Sequence, residues 1–211
     1  MSADVVFRAF HYAPADPGSL DRAELERAAA MLPDVRNRFL SGRAAQRRWV
    51  AELLGVPASE LTVHYRCPRC GSGPDVPHGR PGYSLDGTVV PLLLSLSRAA
   101  GWTLMAAVVK PAPGVRLGVD VEDPRRMDFP GFDAIALTES ERSSLASLAG
   151  GELLVERTRL WARKEAWLKM TGEGLLVSPA TVDVRVRPQI QDLQPAATGL
   201  PGGLVAAVAL S

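Results

Sequence analysis

Residues 4–12, DVVFRAFHY, form a β-prone run that predicts an opening strand. In LDRAELERAAAML, residues 20–32, apolar positions fall near helical spacing, and Pro33 is read as closing that piece. Ala44, Ala45, Trp49, Leu53 and Leu54 then mark one face of a second amphipathic helix within GRAAQRRWVAELLG, with Ser41 as its cap and Gly55 as its stop. LTVHYR, residues 61–66, returns to strand character, and the Gly and Pro density from Cys67 to Gly82 predicts a long loop. Three β-prone runs follow: VVPLLLSLS (89–97), GWTLMAAVVK (101–110) and VRLGVDVE (115–122). The PAPG turn between the last two predicts adjacent antiparallel strands.

DPRRMDFPGF, residues 123–132, reads as loop, and helical pattern returns near Ala134, with TESE (138–141) as a capping box. A helix is expected from Glu152 to Met170, broken by TGEGLL. TVDVRVR (181–187) alternates as a strand should, and LVAAVAL (204–210) reads as a buried final strand. Strands run consecutively rather than alternating with helices, so the fold class is α+β and not a doubly wound parallel sheet. Two similar α+β lobes are expected, residues 1–110 and 115–211, split near Pro111 to Gly114.

Composition narrows the partners. The 211 residues carry a formal net charge of +1, so no global field drives the chain onto nucleic acid or an anionic membrane. Neither a signal peptide nor about 18 consecutive apolar residues is evident, and a cytoplasmic location is expected. Cys67 and Cys70 are the two cysteines, spaced C-x-x-C, a spacing poor for a structural disulfide and compatible with metal or redox chemistry, and a reduced pair is expected. There are 21 arginines and three lysines, Lys110, Lys164 and Lys169, and two of those three stand in WARKEAWLK, residues 161–169.

That segment and the strand RLGVDVE carry the candidate chemistry. Strand alternation sends Leu117, Val119 and Val121 to one face and Arg116, Gly118, Asp120 and Glu122 to the other. Two carboxylates about 7 Å apart on one face repel unless solvent, a proton or a cation intervenes, and a hard divalent ion such as Mg²⁺ meets that need. The plain alternative is an exposed edge with solvated charges. On the helix, Trp161, Glu165 and Leu168 share a face, which puts a carboxylate in partly apolar surroundings. Glu165 and Lys169 are also an ordinary i, i+4 pair, worth only about 0.3–0.5 kcal/mol on a surface.

Leu117-Gly118-Val119-Asp120-Val121-Glu122 followed by Trp161-Ala162-Arg163-Lys164-Glu165-Ala166-Trp167-Leu168-Lys169 resembles the paired signatures of the surfactin-type (Sfp-type) 4′-phosphopantetheinyl transferases. The HGRP segment, His78 to Pro81, resembles that family's G-[K/R]-P motif, and CPRCG…HGRP looks like its actinobacterial members. The resemblance implies a pseudo-twofold monomer of two lobes that moves the phosphopantetheine arm of coenzyme A to a serine of an acyl or peptidyl carrier protein. Adenosine 3′,5′-bisphosphate would be released. It further implies that Asp120, Glu122 and Glu165 hold Mg²⁺, that Glu165 helps deprotonate the serine, and that Lys169 serves the leaving phosphate. Lys164 would lie near the phosphates. Gly79, Arg80, Pro81 and Ser95 would belong to the coenzyme A site, as would Arg43 and Arg47 from an arginine-rich helix that also carries Arg36, Arg38 and Arg48. Docking of the carrier is expected on loops such as Arg125 to Phe132.

One departure stands out. The family places a histidine in S-H-[S/T], and this chain has Leu96 there, between Ser95 and Ser97. A weaker or altered coenzyme A site follows, with Ser95, Ser97 or Arg98 as substitutes. Rival readings are a zinc module of His64, Cys67, Cys70 and His78, a non-catalytic descendant that still binds carrier protein or coenzyme A, and a Mg²⁺-dependent phosphohydrolase.

Overall fold

The computed structural model describes residues 4–14, 16–67, 70–76 and 79–211. Strand β1 (Val6–His11) opens the chain and is followed by α1 (Arg22–Ala29) and α2 (Pro33–Leu54). Short strands β2 (Leu61–Val63), β3 (Tyr65–Cys67), β4 (Gly71–Gly73), β5 (Tyr83–Leu85) and β6 (Thr88–Val89) come next. Two long strands, β7 (Leu92–Ala99) and β8 (Trp102–Val109), precede β9 (Leu117–Glu122). After α3 (Phe132–Ala136), α4 (Glu139–Leu145) and α5 (Gly150–Thr171), strands β10 (Ile190–Leu193) and β11 (Val205–Leu210) complete a mixed α and β architecture with several small sheets.

Two compact units emerge, each drawing on separate parts of the chain. Phe10–Leu94 and Ala107–Pro111 make the body of one; Val5–Ala9, Ser95–Ala106 and Ala112–Ser211 make the other. In the first, α1 and α2 accompany the antiparallel sheet β2-β5-β6 and the hairpin β3-β4. In the second, β9 is an edge of the antiparallel sheet β10-β11-β9, in register Asp120↔Ala207 and Glu122↔Val205. Helix α5 packs on that sheet, and Leu160, Ala162, Ala166, Leu168 and Met170 enter a core with Val184, Ala207 and Ala209.

Several expectations change. Pro33 opens α2 at its first turn, where a missing N–H costs nothing, rather than closing α1. Ser41 is interior to α2, although Gly55 does end that helix in the left-handed conformation, φ 68°. β8 lies between β1 and β7, so the PAPG turn does not join paired neighbours: β9 pairs with β11 instead. The loop after Cys67 contains β4, and Arg66 and Arg80 form an antiparallel bridge across it. No strand forms over 181–187. Val182 and Val184 are buried, but their backbone groups are taken by side chains: Lys164 Nζ donates to Val182 O, Arg163 Nε to Val184 O at 3.0 Å, and Val184 N donates to Glu141 Oε1 at 3.0 Å. Alternating burial there imitates a strand without a ladder to join.

Candidate active site

β9 is built of Leu, Val and Val around a glycine and two acids, and it is buried from Leu117 to Val121 on both faces. Its Gly118 is where α5 comes closest. A Cβ on Gly118 would overlap the carbonyl oxygen of Ala166 and stand 2.5 Å from Met170 N, so the helix can approach only because no side chain is there. From that contact the two elements run in opposite directions. Asp120 meets Lys169, and Glu122 meets Trp161, whose Nε1 donates to Glu122 Oε1 at 3.1 Å. Exposed, solvated carboxylates are thereby excluded for Asp120, which is 2% exposed.

Asp120 is the centre of the cluster. Its Oδ1 accepts from Ser97 Oγ at 2.6 Å and from Lys169 Nζ at 2.6 Å, and Lys169 also donates to Val119 O at 3.2 Å. Its Oδ2 is buried with no hydrogen-bond partner. Burial pushes the Asp120 carboxyl above its ordinary range, and the Lys169 ammonium opposes that rise. Glu122 is pushed up to about 7, first by burial and then by the charge of Asp120. Glu165 is raised by burial and again by Asp120, with Lys169 acting against both. Three acids thus share one field with the Lys169 ammonium, and the Arg126 guanidinium also acts on Glu122.

This donor set suits a hard divalent cation: all oxygens, excess negative charge, and one buried oxygen that nothing in the protein satisfies. The acids are not drawn into a closed cage, since among the described residues no group of three or more His, Cys, Asp or Glu side chains is gathered as a metal ligand set.

Other expected site residues lie elsewhere in the fold. Lys164 corrects the expectation that it faces phosphate. It is 0% exposed, and its Nζ pairs with Glu141 Oε2 at 2.7 Å while donating to Pro179 O at 2.8 Å and to Val182 O. Three donors on an ammonium meet three acceptors, so none remains for a ligand. Burial lowers its affinity for the proton, and Glu141 restores part of it. Arg47 is likewise interior to the first unit: it donates to Asp21 Oδ2 at 2.5 Å, Glu24 Oε2 at 3.3 Å and Leu61 O at 2.5 Å. Arg43 lies between the rings of Phe39 and Tyr65 and donates to Gln46 Oε1 at 2.8 Å. These contacts tie α1, α2 and β2 together, while Arg43 Nε and Arg47 Nε are buried without a hydrogen-bond partner. Asp21 and Glu24, which form the α1 capping box, are the partners that helical periodicity alone did not reveal.

Ser95 is buried on β7, where its Oγ accepts from Val119 N at 2.9 Å, which satisfies an N–H on the edge strand β9. Leu96 alternates to the other side of β7 from Ser95 and Ser97. Gly79, Arg80 and Pro81 belong to the first unit; a Cβ at Gly79 would collide with the Arg66 carbonyl, and Arg80 exchanges backbone hydrogen bonds with Arg66 at 2.9 Å. His78 of that motif lies outside the described residues. Cys67, the last residue of β3, is buried and Cys70, just before β4, is exposed, and no zinc ligand group forms among the described residues. The sequence marks Ser97 only as a substitute coenzyme A donor and Trp161 only as an apolar neighbour of Glu165; it does not reveal their hydrogen bonds to Asp120 and Glu122. The two-residue spacing from Ser95 was the available signal for Ser97.

Residues 116–196 match the family model of the 4′-phosphopantetheinyl transferase superfamily. The matched stretch contains β9 and α5, hence Asp120, Glu122, Glu165 and Lys169, and leaves out β7 with its serines. No curated protein matches the chain. No helix among the described residues is long and apolar enough to cross a membrane.

Proposed function

We propose that this chain transfers the 4′-phosphopantetheine arm of coenzyme A to a serine of an apo acyl or peptidyl carrier protein, with Mg²⁺, and releases adenosine 3′,5′-bisphosphate. The observation that carries the reading is Asp120: buried, doubly bonded at Oδ1, unpartnered at Oδ2, and electrostatically coupled to Glu122 and Glu165 within the stretch that matches the family. Asp120, Glu122 and Glu165 would hold Mg²⁺, which when bound neutralises the pyrophosphate and makes its phosphorus attackable.

The chain's own groups handle the proton and the leaving charge. In the transfer, the carrier serine oxygen forms a bond to the phosphorus that bears the pantetheine arm, and the bond from that phosphorus to the bridging oxygen breaks. Glu165 receives the serine proton as the general base. Lys169, an ammonium with a partly exposed side chain, faces the phosphate charge that develops on the departing adenosine bisphosphate. Arg163 and Lys164, on the same helix, are held in the interior by Asp192, Val184 and Glu141 and take no part.

The test is incubation with coenzyme A, Mg²⁺ and an apo carrier protein, followed by weighing the carrier. A mass gain of one phosphopantetheine is expected. An unmodified carrier held in a stable complex would replace this reading with a binding-only role, and release of free phosphate would replace it with hydrolysis.

A further inference from the structure

We propose that Ser97 is a positioning residue for the metal-binding carboxylates: its hydroxyl occupies Asp120 Oδ1 and leaves Oδ2 as the oxygen available to the cation. The inference rests on the metal reading above, but it concerns a residue outside the stretch that matches the family. Ser95 and Ser97 stand two apart on β7 and are both buried, and each reaches β9 with a different group. Ser95 Oγ fixes the backbone by accepting from Val119 N, and Ser97 Oγ fixes the next residue's side chain by donating to Asp120 Oδ1 at 2.6 Å. Asp120 is thereby held at both its main chain and its carboxylate.

Lys169 donates to the same Oδ1, so Oδ1 has two side-chain donors and the buried Oδ2 has none, with the Val121 backbone N–H also acting on the carboxylate. The two donors are not equivalent. Lys169 is a long side chain, 30% exposed, that can swing toward a phosphate. Ser97 is short and buried, and a hydroxyl bonded to a carboxylate at this distance is a strong, directional contact. When Lys169 leaves Asp120 to meet substrate, Ser97 is the group that continues to hold Oδ1. A residue that orients a metal ligand typically changes metal affinity by about 10–100-fold when removed.

Mn²⁺ is the probe, titrated into the full chain without coenzyme A and followed by electron paramagnetic resonance of the free ion. Wild type is expected to bind. Ser97→Ala is expected to bind about 10–100-fold more weakly, and Ser97→Thr, which keeps the hydroxyl, to stay within about threefold of wild type. Equal affinity in wild type and Ser97→Ala would overturn the role of Ser97 while leaving the metal reading intact. Equal weakening in Ser97→Thr would show that the hydroxyl is not the cause. No Mn²⁺ binding by wild type would remove the metal reading itself. If Ser97→Ala does not fold, Ser97→Cys, a near isostere with a weaker donor, is held to the same affinity criterion.

Discussion

Lys164 and Lys169 stand five residues apart on one helix, yet their surroundings differ in charge balance. Lys164 and Glu141 are a one-to-one pair, both 0% exposed, and the carboxylate is completed by Thr138 N at 2.9 Å and Val184 N at 3.0 Å. Every polar atom there has a partner, and the pair ties α4, α5 and residues 179–184 together. Around Lys169 a single ammonium faces Asp120, with Glu122 and Glu165 in the same field and one oxygen left over. The Lys164 cluster is closed and neutral, so it can only support the fold. The Lys169 cluster sets one ammonium against three carboxyls of raised proton affinity and leaves one buried oxygen unpaired, and on the function proposed above this is where a cation and then a pyrophosphate would bind.

The sharpest way to break this contrast is Glu165→Gln. A neutral amide can neither accept the serine proton nor balance a cation, so transfer should fall by about 100- to 10,000-fold with the thermal midpoint little changed. A transfer rate near wild type, read as carrier mass against time, would remove Glu165 from the chemistry. Next in size is Lys164→Met, which leaves Glu141 buried and uncompensated and is expected to cost about 3–5 kcal/mol in urea unfolding. Pairing it with Glu141→Leu should recover much of that loss, and no recovery would contradict a closed, neutral pair. Leu96→His adds the donor that the resembled S-H-[S/T] signature has at this position, and on the proposed function it should improve turnover at limiting coenzyme A by roughly tenfold, in line with one hydrogen bond to a phosphate. Equal turnover would show that this position has no part in coenzyme A binding.

The smallest effect expected is on the pH dependence of stability without divalent cation. Glu122 titrates near 7 when folded against an ordinary 4.5, so between those values the folded chain binds the proton that the unfolded chain has lost. Stability contributed by Glu122 is therefore present below pH 4.5 and is lost as pH rises toward 7; Asp120 and Glu165 act in the same direction. Mg²⁺ should raise the thermal midpoint more at pH 8 than at pH 6, because at pH 6 it must displace protons. A larger Mg²⁺ effect at pH 6 would contradict this.

Much of the framework was legible in the chain. The Thr138–Glu141 capping box forms with both of its hydrogen bonds, and α5 spans the expected run, because local bonding and helical periodicity decide such features within a few residues. D-x-E on β9 and Glu165 on α5 were visible for the same reason. The strand expected at 181–187 was not realised, since alternation reports which residues are buried and not what their backbone bonds to. Arg43 and Arg47 looked like surface guanidiniums because a count of charges does not reveal Asp21, Glu24 or a pair of aromatic rings waiting in the interior.

By itself the sequence determined which residues could carry chemistry: two acids at strand spacing, a glutamate and two lysines on one helix, and the ordered signatures that join them. Residue type and local periodicity are properties of short segments, and they survive without knowledge of the fold. Only the tertiary structure decided which lysine belongs to which cluster. Gly118 sets how closely α5 meets β9, that crossing brings Lys169 to Asp120, and Lys164 is turned to Glu141 on another side of the helix. Charge balance depends on partners distant in sequence, and the pairing of partners is fixed by packing.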